Sequence, residues 1–193
     1  RTSMEDSWVN SVIFTAIYLK GSDLVTIDNP GNLTETELKE VMTFLIEKKR
    51  EGQFLKFWSG WEQGVEVMRS GEIWAMTGWE PIVKALNDQG ISAKYAVPKE
   101  GYEGWSIDLL LHKGAEVKGM LSQTHEFANW LYSGAYGGSL LQERGYAVPN
   151  QTTETYIKNH KEEMALESNP LLQIQKKLDS KIYWQNIQPD NVK

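Results

Sequence analysis

Cysteine is absent from all 193 residues, which excludes thiol nucleophiles, disulfide scaffolds and thiolate metal sites. Positive charge is scarce as well: 20 Lys and Arg stand against 26 Asp and Glu, for a net charge of −6. The basic stripe that a nucleic-acid partner demands is therefore missing, and no such partner is expected. No apolar run approaches the roughly 18 residues needed to cross a bilayer. No secretory signal opens the chain, and Arg1 rather than Met stands first, so the sequence reads as a processed or cut piece of something longer. Histidine occurs three times. His125-Glu126 lacks the second His of a zinc-protease helix, because position 129 is Asn. His112 and His160 stand alone, with neither a nucleophile elbow nor a second ligand at metal spacing. Gly134, Gly137 and Gly138 lack the Lys-Ser/Thr of a phosphate loop and read as a helix break. No cofactor and no metal are expected.

What is present is an ordinary globular balance, 40% hydrophobic and 24% charged, in a chain long enough to bury about 70% of its unfolded surface. Eight Trp are unusual for this length and call for a large core or an aromatic-lined site.

Periodicity predicts a first helix over Ser7 to Lys20, with Asp6 or Ser7 as its cap and Trp8, Val12, Ile13, Ile17 and Tyr18 at helical spacing. Gly21 to Leu33 reads as a loop. Thr34 and Glu37 form a capping-box signature before Leu38, Val41, Met42, Leu45 and Ile46, and Lys48-Lys49-Arg50 then Gly52 close that helix. Further helices are expected over Trp61 to Arg69 and from Glu80-Pro81 to Gly90. The apolar runs Glu72 to Thr77, Ala93 to Val97 and Ser106 to Leu111 read as strands, so residues 61 to 111 alternate strand and helix. That alternation favours an α/β sheet over an all-α bundle. A long helix is expected over Glu116 to Tyr132, a shorter one over Ser139 to Arg144, and a last one begun by Asn169 and Pro170. Asn32-Leu33-Thr34 and Asn150-Gln151-Thr152 match glycosylation acceptors, but both lie at expected helix starts where capping is the simpler role.

Aromatic rings interleave with acids and amides at Trp79-Glu80, Trp105 with Asp108, Tyr146, and Trp184-Gln185. A buried organic cation needs carboxylate charge and oxygen acceptors in place of water. Indole and phenol faces then supply an apolar wall and an attractive quadrupole, worth about 0.5–2 kcal/mol per contact. A sugar would suit the same residues. For any single Trp, packing in the core is the commoner role, and Trp74 and Trp130 are assigned to it. Trp79 and Trp105 fall at expected strand ends, where open α/β sheets hold ligands.

Four blocks extend this reading. Ser70-Gly71-Glu72-Ile73-Trp74-Ala75 with Trp79, then Val97-Pro98-Lys99-Glu100-Gly101, then Trp105 and Asp108, then Gly145-Tyr146-Ala147-Val148-Pro149-Asn150 follow one another in fixed order. Over roughly residues 6 to 150 the sequence resembles the bacterial extracellular solute-binding proteins, most of all the spermidine/putrescine-binding type that serves ABC importers. The resemblance implies a periplasmic-binding-protein-like (type II) α/β fold, a mixed sheet flanked by helices. Two lobes close on a small amine-containing solute by a population shift. It implies a non-enzymatic, periplasmic or extracellular membrane-associated protein that delivers solute to a membrane permease.

Carried over by motif, the ligand-binding residues are Asp6, Trp79, Trp105, Asp108, Tyr146 and Gln185. Asp6 and Asp108 would hold ammonium groups, Trp79 and Trp105 would flank the alkyl chain, and Tyr146 and Gln185 would accept hydrogen bonds. Trp105 and Asp108 are one residue further apart than the family pattern, and on a strand such a slip turns a side chain to the other face. The second acid expected just after Asp6 is missing, with Val9 and Asn10 nearest. A monocationic amine, an amino-acid derivative or another polar solute, a carbohydrate included, therefore fits too, as does an enzyme or sensor module on the same fold. The resemblance places residues 1–105 and 151–193 in the second lobe and 106–150 in a crossover that packs with a first lobe preceding Arg1. Leu109, Leu110, Leu111 and the apolar side of the 116–132 helix would then need that lobe, or a second copy of the chain, as cover. With that lobe absent, weak or absent ligand binding is expected.

Overall fold

The computed structural model describes residues 1–146, 148, 150–164, 179 and 181–185. It is a mixed α/β protein with small parallel sheets. The chain divides into two compact units that meet in sequence at Trp105 and Ser106. The first holds residues 1–105 with 179 and 181–185; the second holds the described residues from Ser106 to Met164. No helix among the described residues is long and apolar enough to cross a membrane.

The first unit begins with β1 (Thr2–Glu5) and α1 (Asn10–Gly21), followed by the expected loop, whose Ile27 is buried. α2 (Glu35–Arg50) starts where the capping box places it: Thr34 Oγ1 accepts from the Glu37 N–H, and Glu37 returns a carboxylate oxygen to the Thr34 N–H at 2.7 Å. Each bond satisfies a donor that the first turn leaves open. Helical spacing located α2 but overstated its burial. Only Val41 is sealed, while Leu38, Met42 and Ile46 remain exposed.

β2 (Phe54–Trp58), α3 (Trp61–Arg69), β3 (Ala75–Met76) and α4 (Glu80–Asp88) complete the larger sheet, with strand order β2-β1-β3 and both pairings parallel. Neither β1 nor β2 is foreseen by pattern. The polar run Thr2-Ser3-Met4-Glu5 becomes the central strand because the Ser3 hydroxyl, though buried, donates to the Lys56 carbonyl at 2.8 Å. The hydrophobic cluster of Trp58, Val65, Val67, Ile73, Ile82 and Leu86 fills the space between β2 and the two following helices. A second cluster, Ala16, Leu19, Ile27 and Val41, joins α1 to α2.

Two expected strands do not form. Ala93–Val97 is irregular because the Asn87 amide occupies both backbone groups of Ala93, and Tyr95 Oη donates to the Gly78 carbonyl. Ser106–Leu111 is likewise irregular. The strand of this region is instead β4 (Tyr102–Gly104), which pairs in parallel with β5 (Ile182–Trp184), far along the chain. The run Glu72–Thr77 contributes only the two residues of β3. Trp74 is not a packing residue: it is 74% exposed, with the Arg1 guanidinium over its ring.

In the second unit the expected 116–132 helix is divided. α5 (Gly114–Val117) is followed by Gly119, whose positive φ of 66° breaks the run, and then by α6 (Leu121–Leu131). α7 (Gly134–Arg144) passes through the glycines that the sequence reads as a helix break. They are a contact face: a Cβ on Gly137 would strike the Thr153 side chain, and one on Gly138 the Tyr156 ring. α8 (Gln151–Asn159), capped by Asn150, packs there, with Leu141, Ile157 and Met164 buried between the two helices. Residues 151–164 thus lie with 106–150 rather than returning to the first unit. The helix expected from Asn169 lies outside the described residues. α6 buries no residue, Trp130 is exposed rather than packed, and Leu110 and Val117 are 88% and 87% exposed.

Candidate functional site

Order β2-β1-β3 means that the chain leaves β1 to one side, returns, and crosses to the other. A parallel sheet with that order has a crevice at the carboxyl ends of β1 and β3, because the two connections depart in opposite directions. The first residues past the strand ends are Asp6, Thr77 and, after β4 and β5, Trp105 and Gln185. Polar and aromatic side chains of the first unit collect there.

The Glu5 N–H donates to Thr77 Oγ1 at 3.0 Å, joining the ends of β1 and β3. Ser7 and Ser11 hold the start of α1: Ser7 Oγ accepts from the Asn10 N–H at 3.1 Å, and Ser11 Oγ donates to the Glu5 carbonyl. Asn10 is thereby aimed back at β1, and its Nδ2 donates to Glu5 Oε2 at 3.0 Å. Gln185 reaches the same amide from the end of β5. Its Nε2 donates to Asn10 Oδ1 at 3.0 Å and to Glu103 Oε1, while its backbone N–H donates to the Gly104 carbonyl at 2.9 Å. Gly104 permits this close pairing, since a Cβ there would meet Ile182 at 2.5 Å and the Trp184 ring at 2.9 Å.

One turn along α1 from Asn10, Phe14 packs on Trp79 with ring centroids 6.3 Å apart. Trp79, at the N-cap of α4, meets Trp105 edge to face at 5.6 Å and 89°. Both indoles are half-buried. An amide-bridged pair of carboxyl groups and an aromatic pair therefore stand on shared elements: Asn10 and Phe14 on α1, Glu103 and Trp105 on and just past β4.

Glu103 is the most perturbed carboxyl group here. Burial pushes its pKa up to about 7, with the Glu5 charge adding to the rise and the Gln185 hydrogen bond opposing it. Its Oε2 is buried without a hydrogen-bond partner. Neither Glu103 nor Glu5 forms an ion pair with a described residue. Such a set can receive a cation: two acids of like sign, an unmet buried oxygen and flat apolar walls.

The structure thus brings Trp79 and Trp105 together and ties Gln185 into the neighbouring network. Asp6 directly follows β1, but its side chain is exposed and it is Glu5 that Asn10 engages. Asp108 and Tyr146 belong to the second unit. Asp108 sits on irregular, exposed backbone and accepts from Ser106 Oγ at 3.3 Å, so no strand face orients it. Tyr146 is half-buried, and burial raises its phenol pKa. Sequence reasoning missed Glu103, Glu5 and Phe14. Glu103 was open to detection: it precedes Trp105 by two, the spacing of one strand face. Asn10 does occupy the place where a second acid is expected, but as an amide that links two acids brought from elsewhere. No protein-family model matches the sequence, and no curated protein matches it.

Proposed function

We propose that the protein binds a small amine-containing solute at the carboxyl ends of its parallel strands, as the non-enzymatic solute-binding component of an ABC importer. The observation that carries this reading is the Gln185 amide joined to both Asn10 and Glu103, beside the edge-to-face pair of Trp79 and Trp105. Glu103 and Glu5 would neutralise the ammonium, and the indoles would flank its methylenes, each contact worth about 0.5–2 kcal/mol. A cation there relieves the mutual repulsion of two acids that form no ion pair with a described residue.

The mixed α/β architecture with its parallel β2-β1-β3 order is consistent with the periplasmic-binding-protein-like fold of this reading; a periplasmic or extracellular setting and a membrane permease as partner are part of the same proposal. Asp6, exposed just past the end of β1, would meet a second amine of a longer ligand. The test is a titration of the chain with putrescine, spermidine and a neutral disaccharide, followed by Trp fluorescence. A saturable response to the amines and none to the sugar is expected. A response to the sugar alone, or to none of the three, overturns the proposal.

A further inference from the structure

We propose that an ammonium entering this site takes the place of a proton on Glu103, so that each amine bound releases one proton to solvent. The inference rests on the amine-binding reading above and concerns how that binding is controlled.

The geometry leaves Glu103 poorly placed to carry charge alone. Oε1 is met by Gln185, but Oε2 is buried and receives no donor. An ionised carboxylate with a buried, undonated oxygen bears most of its desolvation cost. The surroundings deepen this. From the end of β1 comes Glu5, of like sign, one hydrogen-bonded amide away through Asn10. From α1 come the neutral Asn10 and, at the far end of the helix, Lys20, whose Nζ is engaged by the carbonyls of Ile27 and Asp28. From β5 comes Tyr183, paired with Glu103 in register, and before that strand the exposed Lys181, which forms no ion pair with it. Tyr102, beside Glu103 on β4, has its phenol pKa raised by burial and stays neutral. Among the described residues the charged group acting on Glu103 is thus Glu5, and the carboxyl group holds its proton up to about pH 7.

An ammonium changes both conditions at once. One of its three N–H groups meets Oε2, and its charge offsets Glu103 and Glu5 together. The O–H bond of Glu103 breaks, the electron pair stays on oxygen, the proton passes to solvent and the amine keeps its three protons. Aliphatic amines titrate near pH 10, so the ligand itself does not change charge in this range. Binding should tighten about tenfold between about pH 6 and about pH 8, as the Glu103 proton ceases to compete.

The experiment is calorimetry of the chain with putrescine near pH 6 and pH 8, in two buffers of unlike ionisation enthalpy. The buffer dependence of the heat counts protons released. Close to one proton per putrescine is expected at the lower pH, falling toward none at the higher. Glu103→Gln, with its fold checked by circular dichroism, should bind more weakly, with no proton release and no pH dependence. Wild-type protein that binds putrescine with constant affinity and no proton release overturns the exchange while leaving the amine-binding reading in place. No putrescine binding at either pH removes both. The wild-type measurement decides even if the variant does not fold.

Discussion

Gln185 Nε2 donates to a carboxyl oxygen of Glu103, 82 positions earlier in the chain, and to the side-chain oxygen of Asn10, 175 positions earlier. One side-chain amide thereby joins β5 to β4 and to the start of α1. Through Asn10 it reaches Glu5 at the end of β1. Such a network constrains its members only while complete, because a partly satisfied buried polar group costs more than an apolar one.

Removing that amide should therefore be expensive. Gln185→Leu leaves Glu103 Oε1 and Asn10 Oδ1 without their donor, at a cost of about 1–3 kcal/mol in urea denaturation. It should also raise the Glu103 titration further, since the Gln185 bond is what opposes the effect of burial. Unchanged stability with an unchanged Glu103 titration, followed by isotope-edited NMR of the carboxyl carbon, would count against the network.

Glu103 should impose its own pH dependence on stability. Its native pKa, about 7, lies above its unfolded value of 4.5. Between those values the native state binds more protons than the unfolded one, so stability falls as pH rises. The contribution is fully present below the unfolded value and is lost by the time pH passes the native one. Comparing wild type with Glu103→Gln in urea at about pH 4.5 and about pH 8, the gap should shift by roughly 1–2 kcal/mol in favour of the variant at high pH, allowing for solvent screening. A constant gap would show that Glu103 titrates as in the unfolded chain.

The indole pair offers a spectroscopic check. Trp79 and Trp105, edge to face at 5.6 Å, should couple in near-ultraviolet circular dichroism. Trp105→Phe and Trp79→Phe should each abolish the same band. Combined in a double-mutant cycle, they should show a coupling of about 0.5–1.5 kcal/mol. Independent spectral changes with additive stabilities would separate the two rings.

In the second unit, Gly137→Ala should destabilise by about 1–3 kcal/mol despite the better helix propensity of alanine, because the new Cβ strikes the Thr153 side chain. Thr153 Oγ1 is buried without a partner. Thr153→Ala in the same chain should therefore recover most of the loss, measured as thermal midpoint. Failure of that rescue would place the obstruction elsewhere than at Thr153.

Local physics made several elements readable in advance. The Thr34–Glu37 box and the basic last turn define α2 within the chain itself, and Trp61 to Arg69 and Glu80 to Asp88 follow from spacing with Gly or Pro at their ends. Trp79 and Trp105 could be selected because they adjoin strand ends beside Gly or an acid. Other features are non-local. β1 reads as polar, and its parallel pairing with β2 on one side and β3 on the other makes it a central strand. The glycines of α7 look like a break until α8 is seen to need their missing side chains.

By itself the sequence determined the four helices of the first unit, the α/β character, the exclusion of thiol chemistry and the choice of Trp79, Trp105 and Gln185 as residues to watch. Caps, periodicity and composition are properties of neighbours along the chain, and so they can be read there. The tertiary structure alone decided which acid stands on the elements that carry the indoles: Glu103 lies on β4, just before Trp105, and accepts from Gln185. Its altered titration depends on burial and on Glu5, which lies 98 positions away by chain number, and desolvation and charge proximity act through space.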